Sequence, residues 1–267
     1  MGDIARRHDH ALSHVRRQFR YGAGRAMTAE PLCQSGEPSV VLVHGANHDG
    51  WCWTIVVGLL ENVGIRSHVV DLPLSSLESD CRAVAVAVDR AASEGPVLVV
   101  THSYGGLPVS IAAERADALI YVAARMPLRG QSPAERTSSW NTPEFTNCVR
   151  REDGVMTLAS HADGVLYNTT PRSLRDLARA RWRPMRSGVP VQPVANPVWE
   201  HVPTVYVVCT ADRAVDVAAQ REAATHADEM IELDCDHSPF FSAPSQLAAV
   251  VEFEVAAMRS RTGLSGG

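Results

Sequence analysis

A serine hydroxyl becomes a useful nucleophile only when a base takes its proton and a carboxylate orients that base. The segment Thr101-His102-Ser103-Tyr104-Gly105-Gly106 offers such a serine. It lies directly after the apolar run at 97–100 and before a helical pattern at about 107–114. A sharp strand-to-helix turn that presents a nucleophile at its tip needs small residues two positions before and after it. Gly105 and Gly106 meet that need downstream, while Thr101 replaces the usual upstream glycine and makes a tighter turn.

The partners are expected in the chain order serine, acid, histidine. Asp212, in Cys209-Thr210-Ala211-Asp212, follows one apolar run, and His237, in Asp234-Cys235-Asp236-His237-Ser238-Pro239, follows the next. Both would emerge at the same sheet edge as Ser103. Rivals for the acid are Asp216, which also reads as a first-turn helix acid, and Asp236, which also reads as a loop-solvating residue or a brace for the histidine. His201 and His226 compete poorly with His237, since one lies in the lid approach and the other inside a helical stretch.

Negative charge developing on a substrate carbonyl needs preorganised N–H donors. His44-Gly45-Ala46 follows the first strand, so the backbone N–H groups of Ala46 and Tyr104 are assigned as the oxyanion hole. Gly45 lets the chain pass close to substrate without a Cβ clash. His44 and His102 read as braces of the two turns, and a His44–His48 metal pair lacks further ligands.

Positioning these groups requires a parallel sheet. Val40-Val41-Leu42-Val43 is continuously apolar, as for a strand buried on both faces. Further strands are expected at 65–70, 97–100, 119–122, 205–208 and 230–233. Helical spacing separates them: Cys81, Val84, Ala85 and Val88 before Gly95-Pro96, and Leu247, Val250, Val251, Val255 and Met258 after Pro244. Strands alternating with helices predict an α/β fold, with a mostly parallel sheet of about six strands and helices on both faces.

The stretch 125–203 is too long for one crossover and reads as a helical lid over the carboxyl ends of the strands, where ligands bind in such sheets. Within it Thr170-Pro171 reads as an N-cap with proline at N1, followed by an apolar stripe of Leu174, Leu177, Ala178 and Trp182. Trp140 and Trp182 are the lid residues expected to face substrate. The segment 125–186 carries eleven arginines against six acids, either a solvated surface or a grip on a substrate carboxylate or phosphate.

The 267 residues contain 25 basic side chains, every one arginine, and 30 acidic ones, for a net charge of −5. Without lysine there is no Schiff base, no P-loop lysine and no lysine general base. The first 26 residues hold six arginines against Asp3 and Asp9, a net +4; the remaining 19 arginines face 28 acids, a net −9. Residues 1–36 therefore form a basic extension with Met27 as an alternative start, 37–260 one domain, and 261–267 a C-terminal tail. No secretory or membrane-spanning pattern is present, and six cysteines (33, 52, 81, 148, 209, 235) form no Cys-x-x-Cys pair. The expectation is a cytoplasmic protein with reduced thiols, no metal and no cofactor, acting as a monomer or homodimer without nucleic acid or membrane.

Taken together, Val41-Leu42-Val43-His44-Gly45-Ala46, Gly50-Trp51-Cys52-Trp53, the turn at Ser103, Val208-Cys209-Thr210-Ala211-Asp212, and Asp236-His237 with Ser242-Ala243-Pro244 resemble the α/β-hydrolase superfamily. Within it, they are similar to the small-lid esterases that include plant methylesterases and hydroxynitrile lyases. Residues 166–184 look like the lid segment of that group. The resemblance implies hydrolysis of a small or medium carboxylic ester, lactone or thioester by Ser103, His237 and Asp212 through an acyl-enzyme. A cofactor-free lyase, cyclase or acyl transferase using the same three residues is the alternative, and a non-catalytic ligand receptor is the third reading. Hydroxynitrile lyases carry threonine at the position of Gly45 and lysine after the histidine; here Ser238 follows His237, which disfavours cyanohydrin cleavage. Asp49 stands where the group usually has a small residue.

Overall fold

The computed structural model describes residues 36–132, 134, 137–186 and 192–262. The basic extension, apart from residue 36, lies outside them, as do residues 263–267 of the expected tail. Six strands form one sheet: β1 (Ser39–Val43), β2 (Ser67–Val70), β3 (Val97–His102), β4 (Ala118–Val122), β7 (Thr204–Cys209) and β8 (Glu229–Leu233). Their order is β2-β1-β3-β4-β7-β8 and every pairing is parallel. β1, β3, β4 and β7 are buried along their whole length, which their unbroken apolar runs required.

Alternate residues of each strand feed two cores. Val40, Leu42, Leu98, Val100, Ile120 and Val122 pack against α1 (Thr54–Asn62) and the long C-terminal α10 (Pro244–Thr262). Val41, Val43, Val97, Val99, Leu119 and Tyr121 pack against α2 (Leu77–Ala92), α3 (Gly106–Ala112) and α8 (Val217–Ala224). Burying each such valine or leucine contributes roughly 1.5–3 kcal/mol. Local signals set the helix starts: Ser76 and Ser79 make a reciprocal capping box on α2, and Pro244 opens α10. α10 runs to Thr262, two residues past the expected boundary at 260.

From β1 the chain passes outward to β2 and then returns to β3 on the other side of β1. The crevice at this reversal, outside the carboxyl ends of β1 and β3, is where an open parallel sheet binds ligands. The register aligns Val43 with Thr101, His102 with Val122, and Cys209 with Leu233, so the loops after β1, β3, β7 and β8 leave along one edge.

Between β4 and β7 the expected helical lid also holds a pair of strands. Helices are present: α4 (Thr137–Trp140), α5 (Pro143–Cys148), α6 (Asp163–Leu166) and α7 (Arg172–Ala180). Between α5 and α6, however, lies an antiparallel hairpin of β5 (Val149–Glu152) and β6 (Val155–Leu158). Its two-residue turn, Asp153-Gly154, has φ +49° and +74°, the left-handed pair that a tight hairpin demands. α7 begins one residue later than expected. Pro171 occupies its N-cap position, and the Thr170 hydroxyl is drawn away to Asp236. Leu177 is exposed, so it does not belong to the apolar stripe.

Candidate active site

The turn after β3 has the strain expected of a turn that presents a nucleophile. Ser103 sits at φ +52°, in the left-handed region that a non-glycine residue occupies at a cost. The chain packs so closely here that a Cβ on Gly105 would stand 2.6 Å from the His44 carbonyl oxygen and 2.8 Å from Thr101 Oγ1. Gly45 is equally constrained: a Cβ there would lie 2.8 Å from His102 Nδ1 and 2.9 Å from Ser103 Cβ. Glycine at 45 thus lets the loop after β1 close onto the serine.

The structure brings Ser103, His237 and Asp212 into one hydrogen-bonded line. Ser103 Oγ lies 3.1 Å from His237 Nε2, and His237 Nδ1 lies 2.7 Å from Asp212 Oδ2. Ser103 is partly open, while Asp212 and His237 are buried. With Nδ1–H donating to the carboxylate, Nε2 is left as the acceptor facing the serine hydroxyl. Asp212 is fixed in turn: its Oδ1 accepts from the backbone of Ala214 and Val215, and its Oδ2 from Gln220 Nε2.

The two rivals for the acid have other partners. Asp216 caps α8, accepting from Ala218 and Ala219 N–H groups. Asp236 is fully buried and binds the lid. Its Oδ2 accepts from Thr169 N, Thr170 N and Thr170 Oγ1, and its Oδ1 from Ser238 N and Ser242 Oγ.

Both flanking histidines brace loops. His44 Nδ1 donates to the Gly45 carbonyl and Nε2 accepts from Leu72 N. His102 Nε2 donates to the His237 carbonyl at 2.7 Å, tying the turn after β3 to the loop after β8. Burial pushes both imidazoles below their ordinary pKa, His102 well below, so they serve as neutral spacers. The N–H of Ala46 points from the loop after β1 without a hydrogen-bond partner among the described residues. The Tyr104 side chain, beside the second assigned donor, anchors on α2 by donating to Asp80 Oδ2 at 2.7 Å.

Residues 40–250 match the model of the alpha/beta hydrolase family. The chain belongs to that family. Methylesterase 7 of Arabidopsis thaliana is 28% identical over 252 residues, covering 82% of this chain and 96% of that one. Esterase PIR7B of Oryza sativa subsp. japonica is 30% identical over 264 residues, again covering 82% and 96%. Among solved structures, a pyrethroid hydrolase from Sphingobium faniae JZ-2 superposes with a TM-score of 0.72 at 24% identity, over 84% of this chain and 98% of that one. A methylesterase from Arabidopsis gives a TM-score of 0.67 at 24% identity, over 83% and 99%. The protein is an α/β-fold, esterase-like hydrolase of the plant methylesterase group.

In this hydrolase the lid is tied to the loop after β1 by a relay that the sequence left unread. Trp182 Nε1 donates to Tyr167 Oη at 2.8 Å, Tyr167 Oη to His48 Nε2 at 2.9 Å, and His48 Nδ1 to the Ala46 carbonyl at 2.8 Å. Burial lowers the His48 pKa to about 4, which keeps it a neutral acceptor. Beside the relay, Asn47 adopts φ +59° and exchanges backbone and side-chain hydrogen bonds with Arg183. Asp49 caps the short 3-10 turn Gly50–Trp53 and pairs with Arg181 at 2.6 Å. Trp182 lies in a small cleft with Asn47, His48 and Trp51, whereas Trp140 is buried beneath the Arg125 guanidinium. The His44–His48 spacing reads as a metal pair and does not point to this role.

Proposed function

We propose that this hydrolase cleaves a small or medium carboxylic ester, lactone or thioester through a covalent acyl-enzyme. The reading rests on one observation: the Ser103 hydroxyl meets His237 Nε2 while Asp212 holds Nδ1. Ser103 Oγ attacks the carbonyl carbon and its proton passes to His237 Nε2. Charge on the carbonyl oxygen is received by the N–H groups of Ala46 and Tyr104. Collapse of the tetrahedral intermediate breaks the bond to the leaving alcohol or thiol, which takes the proton from His237. Water then gives a proton to His237 as it attacks the acyl carbon; the bond to Ser103 Oγ breaks, Oγ takes that proton back from His237, and the carboxylic acid leaves. The relatives named as a methylesterase and an esterase support the ester class.

The test is covalent labelling with a fluorophosphonate probe together with p-nitrophenyl ester hydrolysis. Ser103→Ala is expected to abolish labelling and lower turnover by about 10⁴–10⁶-fold. Labelling that survives the substitution would assign the nucleophile elsewhere.

A further inference from the structure

Eleven arginines lie between 125 and 186, and Arg136 is outside the described residues. Arg129 pairs with Glu200, Arg175 with Asp163, Arg179 with Asp176 and Arg181 with Asp49. Arg183 donates to the Leu72 carbonyl, and Arg150, Arg151, Arg172 and Arg186 are exposed. Arg125 differs from all of them. After β4 the chain turns through Ala123, at φ +43°, and the Arg125 N–H donates to the Ser103 carbonyl at 2.9 Å. Its own carbonyl is pressed against the nucleophile turn, since a Cβ on Gly106 would meet it at 2.1 Å.

The Arg125 side chain is half-buried, with its guanidinium 5.6 Å from the centroid of the lid residue Trp140. No carboxylate among the described residues lies within ion-pair distance of it. Burial lowers its pKa to about 10, so it remains a cation at neutral pH, and the described residues supply no counter-charge to it. Stripping water from a guanidinium without pairing it is costly, and the indole face offsets only part of that cost. A planar, forked cation stacked on a lid indole, on a residue whose backbone abuts the turn that carries Ser103, matches the two oxygens of a carboxylate.

We infer that Arg125 is a specificity-determining residue that binds a free carboxylate on the substrate, so that the preferred ester is an anion such as a monoester of a dicarboxylic acid. This rests on the proposed hydrolysis at Ser103. The trait belongs to Arg125 and Trp140 together rather than to the lid's overall charge.

The experiment compares kcat/KM for p-nitrophenyl hydrogen glutarate with that for neutral p-nitrophenyl hexanoate, using the full chain. The wild type is expected to favour the anionic ester, and Arg125→Met to lower that preference by about 10- to 100-fold. Arg125→Lys should retain part of it, because charge remains without the fork. Arg150→Gln, an exposed lid change, should keep the wild-type preference. Thermal unfolding of Arg125→Met should match or exceed the wild type, since the removed charge has no carboxylate partner among the described residues; a guanidinium that served packing would instead lower it. Should Arg125→Met fail to fold, Arg125→Gln and Arg125→Lys carry the same comparison. A wild type that hydrolyses the hexanoate with no preference for the glutarate overturns the Arg125 assignment alone. Failure to hydrolyse either ester, with no fluorophosphonate labelling, overturns the hydrolase reading beneath it.

Discussion

The sheet edge and the lid hold their residues in place by different means. At the edge, Ser103, Asp212 and His237 leave strands whose register is set by an apolar core, and local backbone does most of the aiming. Ser103 needs only its strained turn, and Asp212 is held by N–H groups two and three residues away. In the lid almost every anchoring bond spans a large sequence separation: Tyr167 to His48, Arg183 to Asn47, Thr170 to Asp236. A site built this way separates its chemistry, which the strand ends position, from its selectivity, which depends on how the lid docks. The lid docks on the loops it covers, so Ala46 answers to both regions.

The sharpest way to test that division is at the edge. Asp212→Asn should lower kcat by about 10³–10⁴-fold, because the amide favours the wrong histidine tautomer, while the fold is kept. A loss below tenfold in p-nitrophenyl ester turnover would show that His237 is oriented by something other than Asp212. At the junction, Tyr167→Phe removes the hydroxyl between Trp182 and His48, leaving buried His48 Nε2 and half-buried Trp182 Nε1 without that partner. It should cost about 1–3 kcal/mol in urea unfolding and lower kcat more than it changes KM. A change confined to KM would make the relay a wall of the pocket rather than a support for Ala46.

Acid and base should act on different places. His48 has its folded pKa lowered from 6.5 to about 4, so its contribution is fully present above 6.5 and is lost as pH falls towards 4. Glu254, buried in α10 near Glu229, has its pKa raised from 4.5 to about 7. Its contribution is fully present below 4.5 and is lost as pH rises to about 7, the opposite slope. Glu254→Gln should therefore stabilise the protein at pH 8 by about 1–3 kcal/mol, with little effect near pH 4. Equal effects at both pH values in denaturant titrations would mean that Glu254 does not titrate on folding. The smallest effect belongs to the exposed pair of Asp49 and Arg181: Arg181→Ala should leave Tm within about 2 °C of wild type.

The legibility of the two regions follows the same division. Each strand of the sheet could be read because burial on both faces demands an apolar run, as in Val40-Val41-Leu42-Val43, and the six core strands lie within two residues of their expected bounds. The hairpin at Val149–Leu158 was missed because Val149-Arg150-Arg151-Glu152 has no apolar alternation, although Asp153-Gly154 was a usable turn signal. Thr170 read as a helix cap on local grounds, and lost that role to Asp236, a residue 66 positions away. His48 carried no local mark of its task, since its partners Ala46 and Tyr167 flank it at separations of 2 and 119.

From its residues alone, then, this chain was bound to form a parallel sheet with a serine, an acid and a histidine on its successive loops. That much depends on short-range polarity patterns and on turn residues whose backbone preferences are local. Which carboxylate meets His237, how the lid docks on Ala46 through His48, and which lid arginine stands half-buried over Trp140 with no carboxylate partner among the described residues were decided only by tertiary contacts. Those choices depend on distances between residues far apart in sequence, and on the loss of water around them, neither of which local sequence encodes.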